Sequence, residues 1–227
     1  MCNLYSSTTT QEAMRQLFAV RPEQDHLGNA ASQPSIYPKY TAPVVRLTEQ
    51  GARELVPMHW GFLMPQTSKK TGKPILPKAI NNARDDKLQS SSFWRGSFND
   101  RRCLAPASSF AEAKGRNPAT YFWFGLTADD PADRPPFAFA AIWRHWRGEI
   151  KGEPFEADTY SIITTTPNEL VRPFHPDRMP VILAPSDYET WLTGYTDTAA
   201  DLLKPYPSER MRIVRQGQSA TADSLGG

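Results

Sequence analysis

The sequence has few cysteines and histidines for its length. Its 227 residues include two cysteines and four histidines. Two cysteines in a chain of this size do not form a disulfide framework, so Cys2 and Cys103 are expected as thiols in a reducing compartment. No Cys or His pair has the spacing of a structural zinc site. We therefore expect neither a metal nor any other cofactor.

Long apolar segments are also missing. No segment approaches the roughly 20 apolar residues that a membrane-spanning helix needs. The first residues, MCNLYSSTTTQEA, have neither the basic start nor the apolar run of a secretory signal. The expectation is a cytoplasmic protein that does not contact membranes.

Proline, in contrast, is abundant. The 21 prolines amount to about twice the usual share, and their even spread favours short strands and irregular loops over long helices. No repeat or low-complexity block divides the chain, and its most linker-like segment, DDPADRPP, lies within a series of predicted strands. We predict one domain over residues 1–217 and a disordered tail over residues 218–227.

Alternating apolar and β-branched residues predict an α+β fold with a mainly antiparallel sheet core. PVVRLT and ARELVPMHWGF form a predicted strand pair around the turn residues EQG. Further strands are predicted at RRCLAPASSF, ATYFWFGL, PFAFAAIWRHW, DTYSIITTTP, MPVIL and MRIVR.

A few short helices complete the predicted fold. TTTQEAMRQLF has Thr9 and Glu12 at the spacing of a capping box, and SDYETWL has Ser186 and Glu189 at the same spacing. ARDDKLQSSSFW is predicted to be helical with Leu88 and Trp94 turned inward, and TAADLLKPY is the last candidate helix.

Acidic residues are absent between residues 55 and 84. The cations of this stretch are Lys69, Lys70, Lys73, Lys78 and Arg84, and Trp60 and Phe62 lie at its start. Cations that track phosphates and rings that stack on unpaired bases suit a nucleic-acid strand. The alternative is a solvated lysine loop, QTSKKTGK, beside a core strand.

Cys2 follows the initiator methionine directly. Removal of Met1 would leave an α-amine and a thiol on adjacent carbons. An aldehyde can condense with the amine, whose ordinary pKa of about 7.7 to 8.0 leaves a neutral fraction, and the thiol can then close a thiazolidine ring. The alternative is a cysteine with no function.

Four other residues could carry or assist chemistry. Glu112, in SSFAEAKG, is a candidate for proton transfer at a strand end, or a solvated residue beside Lys114. His175, between two prolines, is a candidate general acid or a structural histidine. Asn82 is a cap or turn residue, or it orients the reacting terminus. Cys103 is expected to be a buried core thiol.

Five short motifs in this order resemble the SRAP family, the SOS response-associated peptidases, over most of residues 2–184. They are Cys2 after the initiator methionine, the Trp-Gly pair at Trp60 and Gly61, the Asn-Ala-Arg of INNAR at 82–84, Glu112 in the strand after Cys103, and His175 ahead of RMPVIL.

The resemblance implies a β-barrel-like core and a monomer that binds single-stranded DNA, traps abasic sites covalently as a thiazolidine crosslink, and associates with the nucleoid. Cys2 would be the nucleophile, Asn82 would position it, Glu112 would act as acid or base, and His175 would assist opening of the sugar. Arg84 would hold a phosphate. The other expected DNA contacts are Trp60, Lys69, Lys70, Lys73 and Arg178. Removal of Met1 by the domain itself and lyase chemistry are further implications.

This chain departs from the common family pattern at three places. Asn3 and Leu4 replace a Gly-Arg pair, Ala111 and Ala113 flank Glu112 where aromatic residues are common, and Pro176 is inserted before the RMP motif. Two other functions stay open. They are an N-terminal-nucleophile cysteine peptidase or amidohydrolase, and a nucleic-acid-binding module without catalysis.

Overall fold

The computed structural model describes residues 2–218. The strands are β1 Tyr5–Ser7, β2 Gln33–Ile36, β3 Thr41–Leu47, β4 Arg53–Trp60, β5 Phe62–Thr67, β6 Pro74–Ile80, β7 Asn82–Arg84, β8 Arg102–Ala107, β9 Ser109–Lys114, β10 Thr120–Leu126, β11 Phe137–Ile150, β12 Glu153–Thr165, β13 Met179–Pro180, β14 Ile182–Leu183 and β15 Met211–Gly217. The α-helices are α1 Gln11–Phe18, α2 Ser92–Asp100, α3 Tyr188–Thr193 and α4 Thr196–Ala200. Short 3₁₀ turns occur at Pro22–Gln24, Asp85–Lys87, Pro185–Asp187 and Ser208–Arg210.

Five strands close a barrel. The hydrogen-bonded order is β12, β4, β3, β8, β11 and back to β12. The pairs are antiparallel except β12 with β4, which is parallel. The predicted α+β fold with a β-barrel-like, mainly antiparallel core is therefore confirmed. The predicted tail lies outside the described residues except for residue 218, and the single domain over 1–217 stays a prediction.

A second sheet, in the order β15, β10, β9, β1, β2, packs on the barrel. Its contact with the barrel is aromatic: the ring centroids of Phe110 of β9 and Phe139 are 6.0 Å apart, and within the second sheet Phe124 of β10 stacks on Phe110 at 5.3 Å. Phe139 belongs to β11 of the barrel, and all three rings are fully buried. Burial of such side chains stabilises the fold by about 1.5 to 3 kcal/mol each.

The segment RRCLAPASSF forms two strands rather than the single strand predicted. The chain leaves the barrel at Ala107 and enters the second sheet at Ser109. The buried Ser6 hydroxyl is 2.8 Å from the hydroxyls of both Ser108 and Ser109, so the polar groups at this crossing are satisfied. Because the chain crosses here, Glu112 lies in the second sheet and not in the barrel.

Two predicted helix starts are wrong. The N-cap of α1 is Thr10 rather than Thr9, since the Thr10 hydroxyl accepts a hydrogen bond from the backbone N–H of Ala13 at 3.3 Å. Ser186 lies in the 3₁₀ turn Pro185–Asp187, and its hydroxyl bonds to the Asp187 carboxylate at 3.4 Å instead of capping a helix.

The predicted helix at ARDDKLQSSSFW is divided. Its first residues belong to β7, whose backbone pairs with β12, and α2 begins only at Ser92. Tertiary pairing outweighs local helix propensity here. Leu88 and Trp94 are buried, as predicted. The strand β7 is what places Asn82 and Arg84 beside the N-terminus.

Gly61 joins β4 to β5 in a conformation that suits glycine. Its φ is +122°, and a Cβ there would lie 2.8 Å from the Cβ of Ala79. The absence of a side chain lets β5 pair closely with β6, so that QTSKKTGK forms the tip of a hairpin with Lys69, Lys70 and Lys73 exposed. No helix within residues 2–218 is long and apolar enough to cross a membrane.

Two buried tyrosines connect the second sheet to the barrel. The hydroxyls of Tyr5 and Tyr160 are 2.5 Å apart, and both side chains are fully enclosed. Replacing Tyr160 with phenylalanine is expected to destabilise the protein by about 1 to 3 kcal/mol, because the Tyr5 hydroxyl loses this bond inside a desolvated site. Chemical denaturation of the single variants and of the double Tyr5→Phe/Tyr160→Phe variant checks this. The double variant is expected to be more stable than the Tyr160→Phe single variant. Equal losses of stability in all three variants would contradict the explanation.

Candidate active site

Cys2 lies just before β1 and is fully buried. Its thiol is 3.6 Å from the carbonyl oxygen of Leu4, to which it donates a hydrogen bond. Burial raises the pKa of this thiol far above its ordinary range, and the nearby charge of Glu112 raises it further. The Cys2 sulfur is therefore a protonated thiol at neutral pH.

Two asparagine amides converge on the Cys2 carbonyl oxygen. The Nδ2 of Asn82 donates to it at 2.8 Å and the Nδ2 of Asn81 at 3.1 Å. Asn82 opens the strand β7, where its backbone pairs with Ile162 of β12. The structure thus places Asn82 beside Cys2, and its positioning role in catalysis stays a prediction.

Asn81 is a residue that sequence reasoning missed. Its backbone oxygen accepts hydrogen bonds from Trp60 Nε1 at 2.9 Å and from the N–H of Ile162 at 3.1 Å. Its amide nitrogen reaches the side-chain oxygen of Asn3 at 3.0 Å as well as the Cys2 carbonyl. The doubled asparagine of INNAR was the available signal.

Glu112 lies within β9 and is 5 % exposed. This burial excludes the alternative of a solvated side chain beside Lys114. Desolvation raises the pKa of the Glu112 carboxyl to about 7. Both its protonated and its ionised forms are therefore populated at neutral pH, which suits a group that transfers protons in both directions.

His175 is half-buried and has a defined hydrogen-bonding state. The backbone N–H of Arg178 donates to its Nδ1 at 3.1 Å, which places the proton of a neutral ring on Nε2. Burial lowers the pKa of His175, so the neutral ring is favoured at neutral pH. A ring in this state offers a hydrogen-bond donor.

Two clefts meet at Asn3, which is exposed. The first, here called the His175 cleft, has a volume of about 630 Å³ and is lined by Asn3, Arg84, Thr166, His175, Asp177 and Arg178. The second, here called the tyrosine cleft, has a volume of about 430 Å³ and is lined by Asn3, Leu4, Tyr37, Pro38, Ala111, Glu112, Ala113 and Tyr121. The fold thus brings His175 to one cleft and Glu112 to the border of the other, with the Cys2–Asn3 segment between them.

The predicted DNA contacts differ in their surroundings. Arg84 is exposed and paired with both carboxylate oxygens of Asp86, at 2.9 and 3.0 Å. Arg178 is 8 % exposed, and its guanidinium bonds to the Asp85 carboxylate at 2.6 Å. Trp60 is fully enclosed in the core, so its predicted contact with DNA is wrong. Cys103 is fully buried, as predicted.

Metal-ligating side chains are dispersed in the described part of the chain. Within it, no group of three or more His, Cys, Asp or Glu side chains is placed to hold a metal ion. The chemistry available at the site is that of a thiol, two amides, a carboxyl of raised pKa and a neutral imidazole.

The amino-acid sequence is similar to those of proteins whose family is known. A sequence model of the family described as SOS response associated peptidase (SRAP) matches residues 1–219. The abasic site processing protein YoqW of Bacillus subtilis is 30% identical over 202 residues, which cover 85% of each chain. The abasic site processing protein YoaM of the same organism is 30% identical over 188 residues, which cover 81% of this chain and 78% of YoaM.

Solved structures share the fold. A crystal structure of a Bordetella bronchiseptica protein matches with a TM-score of 0.71 and 26% identity, and the match covers 93% of this chain and 97% of that chain. A Bacteroides thetaiotaomicron protein matches with a TM-score of 0.72 and 23% identity, over 93% of this chain and 90% of that chain. The barrel with its second sheet is therefore a fold shared across divergent sequences.

Proposed function

The chain belongs to the SRAP family of SOS response-associated peptidases, and we propose that it processes abasic sites in single-stranded DNA by trapping their aldehyde at Cys2. The names of YoqW and YoaM support abasic sites as the substrate. The observation that carries the proposal is the surroundings of Cys2. Two amides hold its carbonyl, at 2.8 and 3.1 Å, and a carboxyl with a pKa of about 7 lies close enough to affect its thiol.

The α-amine of Cys2 reacts first in the proposed mechanism. Removal of Met1 frees this amine, whose ordinary pKa of about 7.7 to 8.0 leaves a neutral fraction, while burial keeps the thiol protonated. The amine nitrogen adds to the aldehyde carbon of the ring-opened sugar to give a carbinolamine. Loss of one water then gives a Schiff base between Cys2 and the sugar.

Glu112 moves the protons of these two steps. Its protonated carboxyl donates to the carbinolamine hydroxyl as that group leaves as water. The Schiff base forms with a proton on its nitrogen. The Cys2 sulfur then adds to the imine carbon, the C=N electron pair moves to the nitrogen, and the thiol proton returns to the Glu112 carboxylate. The product is a thiazolidine, and one water is lost in all. A pKa of about 7 lets one carboxyl serve as acid and then as base.

His175 and the cations of its cleft act on the sugar and its phosphates. The Nε2–H of neutral His175 hydrogen-bonds to the ring oxygen of the sugar as the bond from that oxygen to the anomeric carbon breaks. The proton that the anomeric hydroxyl loses ends on the ring oxygen, and the aldehyde opens. Arg84 leaves its exposed ion pair with Asp86 and binds a phosphate of the strand instead. Arg178, anchored on Asp85, adds a fixed positive charge at the wall of the cleft.

The exposed lysines of the β5–β6 hairpin are proposed to contact the strand outside the reacting site. Replacing Lys69, Lys70 and Lys73 together with glutamine is expected to weaken binding of single-stranded DNA. The slope of log affinity against log salt should fall by about 0.7 for each phosphate that the variant no longer neutralises. The rate of crosslinking at saturating DNA should stay unchanged. The triple arginine variant, which keeps the charges, is the control, and equal affinity and slope for both variants would contradict the prediction.

The test of the function uses an oligonucleotide with a single abasic site. Incubation with protein that intact mass spectrometry shows to lack Met1 should give a band that resists denaturation, with the summed mass of protein and DNA less one water. No band would overturn the proposal. Retention of Met1 in a Glu112→Gln variant would indicate that the domain removes Met1 itself, and a cleaved strand would indicate a lyase step.

An N-terminal-nucleophile peptidase is the second candidate function. Such an enzyme needs donors for the oxyanion of its substrate, but the amides of Asn81 and Asn82 are bonded to the chain's own Cys2 carbonyl. Because both amides are already hydrogen-bonded, covalent trapping of an abasic site is favoured over peptidase activity. Turnover of a peptide or amide without DNA would favour the peptidase instead.

A further inference from the structure

The tyrosine cleft lies on the outer face of the second sheet, beside the reacting terminus. Ala113 of β9 pairs directly with Tyr121 of β10, and directly opposed residues of an antiparallel pair share one face of a sheet. The small side chain at 113 therefore leaves the face of Tyr121 uncovered on that side. Tyr37 lies across the cleft and makes an edge contact with Tyr40, at 5.5 Å between ring centroids.

The lining of this cleft suits a flat, uncharged ring. Two phenol rings, a proline and the apolar side chains of Leu4 and Ala111 make its walls. Among the described residues that line it none is cationic, which is unfavourable for a phosphate. Its volume of about 430 Å³ lies within the range of pockets that enclose small organic ligands.

Asn3 connects the tyrosine cleft to the His175 cleft. It lines both of them, and its side-chain oxygen accepts the hydrogen bond of Asn81 at 3.0 Å. Its amide nitrogen is therefore left as the donor, and a nucleobase offers acceptors for it in its carbonyl oxygens and ring nitrogens. A strand with its abasic sugar in the His175 cleft can place an adjoining nucleotide at Asn3, because Asn3 lines that cleft as well as the tyrosine cleft.

We propose that the tyrosine cleft binds the unpaired nucleobase adjacent to the abasic site, stacked on Tyr121 and Tyr37 and hydrogen-bonded by the Asn3 amide. The inference rests on the proposed function, since the neighbouring sugar must occupy the His175 cleft. The base anchors the strand so that the sugar beside it, which has no base of its own to stack, is presented to Cys2. Stacking on an aromatic side chain is tolerant of sequence, so one cleft can serve all four bases.

The test measures equilibrium binding of oligonucleotides that carry a tetrahydrofuran residue, an abasic analogue without an aldehyde. Three otherwise identical strands are compared. The first has both neighbouring bases. In the second the 5′ neighbour, and in the third the 3′ neighbour, is also replaced by tetrahydrofuran. For the wild-type protein, loss of one of the two bases is expected to weaken binding by about 5- to 10-fold. Loss of the other base should have less than about a twofold effect.

Variants assign this effect to the cleft. Tyr121→Ala should bind the complete strand about 5- to 10-fold more weakly and should no longer distinguish the base-deleted strands, whereas Tyr121→Phe should behave as wild type. Tyr195→Ala, at a tyrosine that is 88% exposed and lines neither cleft, is the matched control. Ala113→Leu fills the cleft from an exposed position with a side chain that has no ring to stack on, and it should abolish the same discrimination without truncating a buried wall.

A fluorescent base separates the two proposals. 2-Aminopurine at the recognised position should be quenched on binding to wild type and to Tyr121→Phe, but not to Tyr121→Ala or Ala113→Leu. If all three strands bind wild type equally within twofold, or if discrimination survives in Tyr121→Ala and Ala113→Leu, the base site is overturned while the covalent trap stands. If no strand binds and an aldehydic abasic strand gives no crosslink, the proposed function itself fails.

Discussion

Replacing Cys2 with alanine is expected to eliminate the denaturation-resistant product with abasic DNA, from the major species to background. The variant loses the thiol that closes the thiazolidine, so any Schiff base formed by the α-amine remains open to hydrolysis. Denaturing gel electrophoresis and intact mass of the protein–DNA product measure this. Affinity for a tetrahydrofuran strand should change less than about twofold, since the Cys2 side chain is fully buried before the reaction and this strand has no aldehyde to react with it.

A serine at position 2 tests the order of the steps. If the amine attacks first, Cys2→Ser still forms the Schiff base, which borohydride reduction should convert into a stable adduct. Without reduction the variant should give no durable band. Cys103→Ala is the control, because Cys103 is the other buried thiol and burial likewise raises the pKa of its thiol well above the ordinary range. A durable crosslink with Cys2→Ala, or loss of crosslinking with Cys103→Ala, would contradict the assignment.

Replacing Glu112 with glutamine is expected to slow crosslinking by about 10²- to 10⁴-fold, the range typical of a lost acid–base group. The wild-type rate at saturating DNA should rise with pH as the α-amine loses its proton and fall above about pH 7 as the protonated Glu112 carboxyl is depleted. The variant should keep only the rise. Single-turnover rates between pH 5 and 9 measure both profiles, and an unchanged fall in the variant would contradict the role of Glu112.

The same substitution is expected to stabilise the fold at alkaline pH. The Glu112 pKa is raised to about 7 in the folded protein from an ordinary value of about 4.3. Between these values the folded state binds more protons than the unfolded state, so the contribution of Glu112 to stability falls as pH rises through this window. Glu112→Gln should therefore be more stable than wild type by up to about 4 kcal/mol at pH 8. The two should be equally stable near pH 4.

Denaturant unfolding at several pH values measures this difference. Glu153→Gln removes an exposed carboxyl at the start of β12 and should leave both the stability profile and the crosslinking rate unchanged. Greater stability together with lost activity in Glu112→Gln would indicate a carboxyl buried for function at a cost to the fold. A variant destabilised at pH 8 would show that the ionised carboxyl is well accommodated, contrary to its raised pKa.

Much of the fold is readable from local patterns. The pair β3 and β4, the helix α1 and the strands β10, β11 and β12 follow from alternation, turn residues and an apolar helical face. These signals are local because side-chain period and turn chemistry depend on neighbours in the chain. The errors fall where distant strands pair, as at β7, whose residues satisfy their backbone groups on β12 instead of forming a helix.

The residues of the candidate site divide in the same way, into those that local sequence predicts and those whose surroundings depend on packing. The sequence predicts Cys2, Asn82, Glu112 and His175 from their residue types and from the order of the motifs that resemble the SRAP family, and their catalytic roles stay predictions. The sequence predicts that Trp60 contacts DNA because lysines follow it in the chain. Its ring instead packs in the core, and its indole nitrogen donates a hydrogen bond to Asn81. Whether an aromatic side chain near cations is buried or exposed depends on strand register.

Composition and spacing along the chain account for the reactive groups, the mainly antiparallel β character and the lysine-rich segment. Folding adds what these patterns do not contain: Asn81 joins Asn82 on the Cys2 carbonyl, Glu112 is buried with a pKa of about 7, and two clefts meet at Asn3. These features depend on packing because desolvation and hydrogen-bond geometry arise between segments that are about 80 to 110 residues apart in the chain.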